Sequence, residues 1–357
     1  MESVARLSST ERRELFSETA ARKGMTPAIV EKDFWVCWTL GRLFAHPDLS
    51  RLLMFKGGTS LSKVFNLIER FSEDIDLILD WRVVIGEDDP LAERSHTKQN
   101  AMNKSIDAKA VNYIGGELLA MVAQTLDPIC SCTVDDGHHH GGDGIDDHDD
   151  DNNKGVGDDG HHHHDEHVIN VTYPAAFSDE YLRPDVRLEI GPLAAWMPCD
   201  HYRIRPYAAE TFPQIFKQAD CAVQAIRAER TFWEKATILH QETNRPEGKQ
   251  QPLRYSRHYY DLAMMASASV KVAALGDLDL LSNVVAFKER FYRTGWAQYH
   301  QAKPGTFKLI PPDHVMSVVE RDYTQMRNMI FGRYPDFGEI METLRMLETE
   351  INELHRG

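Results

Sequence analysis

Long apolar runs are missing from this chain of 357 residues. No stretch approaches the roughly eighteen apolar residues that a membrane-crossing helix needs, so no membrane span is expected. The opening Met1-Glu2-Ser3 leads into no hydrophobic region of the kind a secretory leader requires, and a cytoplasmic protein is the expectation. Cysteine is scarce as well. The five cysteines, Cys37, Cys130, Cys132, Cys199 and Cys221, have no zinc-knuckle spacing, and Cys130-x-Cys132 is too isolated to read as a redox pair. Reduced thiols follow, which excludes a small disulfide-stapled scaffold.

Positive charge is also in short supply, with 40 Lys and Arg against 55 Asp and Glu and a formal net charge of −15. The deficit is mostly local. Residues 135–167 hold nine histidines, twelve acids and one lysine, a net −11 that leaves −4 for the rest of the chain. Such a stretch has too little apolar surface to offset chain entropy, and its like charges repel, so it is not expected to fold alone. The runs His138 to His140 and His161 to His164 have the chemistry to bind zinc, nickel or copper loosely, but their spacing offers no single rigid ligand set. A low-complexity loop expansion joining two strands is the simpler reading. The near-neutral remainder is free to present a basic cleft, so the overall acidity does not exclude a nucleic-acid partner.

What is present is concentrated between Lys56 and Leu79. Lys56-Gly57-Gly58-Thr59-Ser60-Leu61 puts two glycines where successive backbone N–H groups can turn toward an anion. The spacing Leu61, Val64, Phe65, Ile68 predicts a helix starting at that turn, where orphan N–H donors and the macrodipole favour phosphate. Lys56 and Lys63 add positive charge nearby. Downstream, Arg70-Phe71-Ser72-Glu73-Asp74-Ile75-Asp76-Leu77 predicts a strand with Asp74 and Asp76 on one face and Ile75, Leu77 and Leu79 toward the core. Two carboxylates held side by side repel, and a divalent cation with oxygen ligands is the usual reason to keep them adjacent. In Asp185-Val186-Arg187-Leu188-Glu189-Ile190 the alternation puts Glu189 on one face with Arg187 and Asp185. An exposed salt-bridge ladder is the ordinary reading of that pattern.

These segments resemble the polymerase-β-like nucleotidyltransferases, and within them the AbiEii/AbiGii toxin group, whose members carry Lys-Gly-Gly-Thr-x-Leu and Ser-x-Asp-Ile-Asp-Leu. The resemblance reaches Ile29-Val30-Glu31-Lys32-Asp33-Phe34-Trp35-Val36, similar to the group's N-terminal Glu-Lys-Asp segment. It also takes in two elements of the C-terminal half. In Ala228 to His240 an amphipathic pattern puts Lys235 on the side of Phe232, Ala236 and Leu239, where it enters a cleft or snorkels past it. The resemblance implies a contact with the triphosphate. Ser256-Arg257-His258-Tyr259-Tyr260-Asp261-Leu262 resembles the group's Arg-Asp-x-x-Asp-Leu, with His258 where the first Asp usually stands. Asp261 is then the stronger candidate, either orienting Lys235 or assisting deprotonation of the nucleophile, with helix-spaced buffering of Arg257 as the ordinary alternative.

The expected architecture is α/β: N-terminal helices over residues 1–48, a nucleotidyltransferase catalytic unit with a mixed sheet over 49–210, and a helical C-terminal domain over 211–357. Ser8 with Glu11 predicts a capping box for a helix ending near Gly24, and Thr26-Pro27 starts the next. Helical patterns dominate beyond Thr211, and the nucleotide is expected between the two larger units. The resemblance implies nucleotidyl transfer with magnesium, or manganese, held by Asp74, Asp76 and Glu189. Lys56, Gly57, Gly58, Thr59, Ser72 and Lys235 would meet the phosphates of a nucleoside triphosphate or fix the turn. By analogy the acceptor is RNA, specifically a tRNA 3′ end, and the protein a toxin neutralised by a separate antitoxin. Arg203 and Arg205, in His201-Tyr202-Arg203-Ile204-Arg205-Pro206-Tyr207, form a basic-aromatic run able to touch RNA or simply a linking strand. Transfer to a protein hydroxyl or a small molecule such as an antibiotic stays open, as does a noncatalytic nucleotide- or metal-binding role.

Overall fold

The computed structural model describes residues 1–72, 74–86, 88–134, 168–178 and 183–354. The Asp/His-rich insert at 135–167, with any metal-binding role for it, and Glu73 lie outside the described residues.

Strand alternation organises the centre of the molecule. Seven strands, β1 (Leu53–Lys56), β2 (Asp74–Leu79), β3 (Ser131–Val134), β4 (Val168–Thr172), β5 (Asp185–Gly191), β6 (Cys199–Ile204) and β7 (Cys221–Ile226), form one mixed sheet in the order β3-β4-β5-β2-β1-β7-β6. The expected α/β class with a mixed sheet, N-terminal helices and a helical C-terminal region is what the chain adopts. β1 runs antiparallel to β2 and parallel to β7, and β2 runs parallel to β5. In β5, Val186, Leu188 and Ile190 are buried while Asp185, Arg187 and Glu189 are half-buried, so the two faces separate by period two.

One face of the sheet is apolar and sealed. Phe55, Ile75, Leu77, Val186 and Leu188 join a single core with Phe16, Phe34, Trp35 and Trp38 from the helices Ser9–Lys23 and Pro27–Ala45. The first of these helices has the anticipated capping box, Ser8 with Glu11, and ends on left-handed Gly24; the second opens on Thr26 with Pro27 at its first position. Charged residues at the join are buried with partners. Glu31 accepts hydrogen bonds from the Ala176 and Phe177 N–H groups at 2.8 and 3.0 Å, and Asp33 accepts one from the Tyr207 N–H at 2.7 Å.

The opposite face carries the acids and a small apolar patch of Met54, Ile78 and Ile226. A second core builds the helical half, in which Phe232, Trp233 and Leu239 of the helix Ala228–Thr243 pack with Tyr260 and Leu262 of Ser256–Ala266 and with Leu344 and Leu347 of Phe337–Glu353. Leu61 and Ile68, from the catalytic side, enter this second core. The sheet itself runs past residue 210. Cys221–Ile226, within the stretch where helical patterns dominate the sequence, is a strand next to β1. The chain between β1 and β2 is latched by a distant segment: Phe71 N–H donates to Met329 O at 2.7 Å, Phe331 N–H to Glu69 O at 3.0 Å, and Arg333 N–H to Glu69 Oε2 at 2.9 Å.

Candidate active site

Register brings the acids together. Asp76 lies opposite Lys56 across the β1–β2 pair and opposite Glu189 across the β2–β5 pair, while Asp74 lies opposite Arg187. Asp76, Glu189 and Lys56 line a cleft of about 610 Å³ whose far wall is made by Glu234, Arg257, His258, Lys288 and Tyr292 of the helical half. Asp74 lines an adjoining groove with Arg70, Ser72, Arg254 and Arg257. Burial raises the Glu189 pKa, and the neighbouring Asp76 and Asp74 charges raise it further. Burial alone would lower the Lys56 pKa, but Asp76, Glu234 and Glu189 outweigh it and the ammonium is held charged.

The glycine turn serves this arrangement. Gly57 has φ +78°, a left-handed conformation, and a Cβ there would run into the Asp76 carboxylate. A Cβ on Gly58 would lie 2.6 Å from Arg70 Nη2. The helix that begins at Gly57 is short, Gly57–Lys63. Thr59 is buried and its hydroxyl donates to Asp74 O at 2.6 Å, so it fixes the turn against β2; Ser60 Oγ donates to Gly57 O at 2.8 Å. Lys63 does not add charge to the cleft. Its ammonium is 2.6 Å from Asp33 and stacks over the Tyr207 ring at 3.8 Å, which ties the N-terminal helices to the turn.

Lys235 and Asp261 meet, but behind the cleft wall. Asp261 is fully buried and accepts from Arg70 Nε at 2.7 Å and Nη2 at 2.8 Å, while Lys235 Nζ lies 2.7 Å from Asp261 Oδ2. Burial would raise the Asp261 pKa, yet the two cations hold it down at about 2, so it remains ionised. Asp261 is thus the shared partner of Lys235 and Arg70. Arg257 is not its partner. Burial pulls the Lys235 pKa down, aided by the Arg70 charge and opposed by Asp261. His258 Nδ1 sits 3.5 Å from Lys235 Nζ, and burial with the Lys235 and Arg257 charges keeps the ring neutral. The basic-aromatic run is partly neutralised: Arg203 and Arg205, on and just after β6, share the single carboxylate of Asp220.

An oxygen-preferring divalent cation suits the donor chemistry of Asp74, Asp76 and Glu189, since the half-buried glutamate is destabilised by its neighbours' negative charge. Arg187 now lies 3.5 Å from Asp74. Among the described residues no three His, Cys, Asp or Glu side chains converge closely enough to form a ready-made metal cage. Lys288 and Tyr292 on the cleft wall were not singled out by sequence. The available signal is the same as for Lys235: Lys288 follows Val284 by four residues and precedes Tyr292 by four, on the inward face of the helix Leu278–Phe291.

The family model described as the nucleotidyl transferase AbiEii toxin of type IV toxin–antitoxin systems matches residues 38–343. Among solved structures, the chain is similar to the nucleotidyltransferase toxin MenT4 from Mycobacterium tuberculosis H37Rv at 15% identity, covering 96% of this chain and 98% of that one with a TM-score of 0.38. No curated protein matches.

Proposed function

Because the chain belongs to the AbiEii family of nucleotidyl transferase toxins from type IV toxin–antitoxin systems, and is thereby a nucleotidyltransferase, we propose that it moves a nucleoside monophosphate from a nucleoside triphosphate to RNA, with a tRNA 3′ end as acceptor. Its neutralising partner is then a cognate antitoxin. The observation that carries the reading is the register of Asp76 against Glu189 beside Lys56 and the Gly57 turn, at the wall of one cleft.

Asp74, Asp76 and Glu189 would hold magnesium, which when bound supplies neutralisation of charge on the triphosphate and on the attacking oxygen. In the reaction the acceptor hydroxyl oxygen bonds to the α-phosphorus, the bond from that phosphorus to the α–β bridging oxygen breaks, pyrophosphate leaves with the electron pair, and the hydroxyl proton passes to water. Rate comes from positioning and electrostatics more than from covalent chemistry by the protein. Gly57, Gly58, Thr59 and Ser72 shape the turn beside the phosphates, and Lys56 faces them. Lys235, oriented by Asp261 and Arg70, contributes positive potential from behind His258.

The test incubates protein and RNA with magnesium and each α-labelled nucleoside triphosphate. Wild type should label small RNA, while Asp76→Ala should label nothing yet retain its circular dichroism spectrum. Activity retained in Asp76→Ala would sink the site assignment, and label on protein or a small molecule would replace the acceptor.

A further inference from the structure

We infer that Lys288 is a phosphate-binding residue, the cation that with Lys56 receives the β- and γ-phosphates and then the departing pyrophosphate. This rests on the nucleotidyl-transfer reading above for its chemistry. It is carried by where the cleft's charges are spent.

The cleft wall includes Lys56, Arg187, Arg230, Arg254, Arg257 and Lys288, against the acids Asp76, Glu189 and Glu234. Six cations and three carboxylates give a local excess of positive charge in a chain whose net charge is −15. A basic cleft in an acidic protein is a site for an anion. Two of the cations are already engaged: Arg187 lies 3.5 Å from Asp74, and Arg230 Nε lies 2.9 Å from Glu234. Lys235, the lysine that motif resemblance offers to the triphosphate, is committed at 2.7 Å to an aspartate it shares with Arg70.

Lys288 differs from all three. It projects from the helix Leu278–Phe291 into the cleft, among the described residues no carboxylate lies within 4.0 Å of its ammonium, and the Tyr299 ring centroid is 5.9 Å away. Burial pulls its pKa down to about 8, Glu234 works the other way, and Lys56 and Lys235 add repulsion. An ammonium desolvated beside other ammoniums is unfavourable until an anion joins it. Lys56 comes from the sheet side of the cleft and Lys288 from the helical side, so a polyphosphate between them would bridge the two walls. Neither lysine needs to break an existing ion pair to do so.

The experiment uses the full chain with Lys288→Ala, Lys288→Met and Lys288→Arg. Titration calorimetry with inorganic pyrophosphate, a nucleoside triphosphate and a nucleoside monophosphate, all with magnesium, is paired with steady-state labelling of RNA. Loss of a charge-assisted phosphate contact should weaken pyrophosphate and triphosphate about tenfold or more and raise KM by the same factor. Monophosphate affinity should stay put, and Lys288→Arg should recover part of the loss. Lys288→Met keeps the apolar stem, so it reports on charge if Lys288→Ala does not fold. Unchanged pyrophosphate affinity in a folded variant would overturn the inference, as would equal weakening of monophosphate and triphosphate. The two readings fail separately: wild-type transfer with an indifferent Lys288 sinks this one alone, whereas Lys288-dependent pyrophosphate binding without transfer to any acceptor sinks the catalytic one alone.

Discussion

Asp261 and Gly57 carry unusual constraint for single residues. Removing the Asp261 carboxylate would leave Arg70 and Lys235 as buried, unpaired cations, a loss of about 3–5 kcal/mol where a buried pair is broken from one side. Urea unfolding of Asp261→Ala should therefore show a large fall in midpoint, more severe than for Ser72→Ala at the rim of the groove. The same carboxylate has a folded pKa depressed to about 2, so its stabilising contribution is complete above the ordinary aspartate range and is lost as pH falls through about 2. Gly57→Ala fails for a different reason. Left-handed backbone costs a side-chain-bearing residue about 1–3 kcal/mol, and the new methyl must displace the Asp76 carboxylate. Label transfer should vanish in Gly57→Ala even where the variant remains folded at low temperature.

The Ala228–Thr243 helix connects the cleft to the second core and gives the protein a pH response of its own. Near its end, buried His240 accepts from the Lys308 N–H at Nδ1 (3.1 Å), which leaves Nε2–H to donate to Gln298 O (3.2 Å). A proton on Nδ1 would face another donor. Burial pulls the His240 pKa down from the ordinary histidine value near 6.5 to about 4, helped by the Lys308 charge. The unfolded chain binds that proton more readily, so stability falls as pH drops from about 6.5 to about 4, by roughly 3 kcal/mol. His240→Gln can keep both hydrogen bonds without titrating, and urea midpoints measured across that window should give it the flatter profile. Such couplings were not legible in the sequence, whereas the acidic strands were. Asp74, Asp76 and Glu189 stand in short alternating segments where period two fixes the face, and Ser8, Gly24, Thr26 and Pro27 mark helix ends through local chemistry. Cys221–Ile226 offered no such alternation and its place beside β1 depends on remote pairing. Helical spacing turned Lys235 inward, but Arg70, which shares Asp261 with it, lies 191 residues from that aspartate and could not be placed there by spacing. Glu31 and Asp33 were legible as a motif, yet their work is to hold backbone N–H groups of Ala176, Phe177 and Tyr207.

At the scale of the whole molecule, a sealed sheet face and a separate helical core leave the cleft as the seam between them. Residues 135–167 join β3 to β4, where Val134 pairs with Ile169 in antiparallel register and Val168 lies opposite Glu189 at the cleft wall. Replacing residues 135–167 with a short Asn-Gly turn should therefore preserve the fold and label transfer, since the flanking ends are already neighbours. Loss of divalent-metal capacity without loss of transfer would separate a metal-buffering insert from the catalytic body. The latch between the β1–β2 connection and residues 329–333 has a consequence for how such a protein is made. Every cleft residue up to Tyr292 is synthesised before residues 329–333, the segment that grips Glu69 and Phe71, so this latch on the β1–β2 connection can close only after the whole cleft wall has left the ribosome.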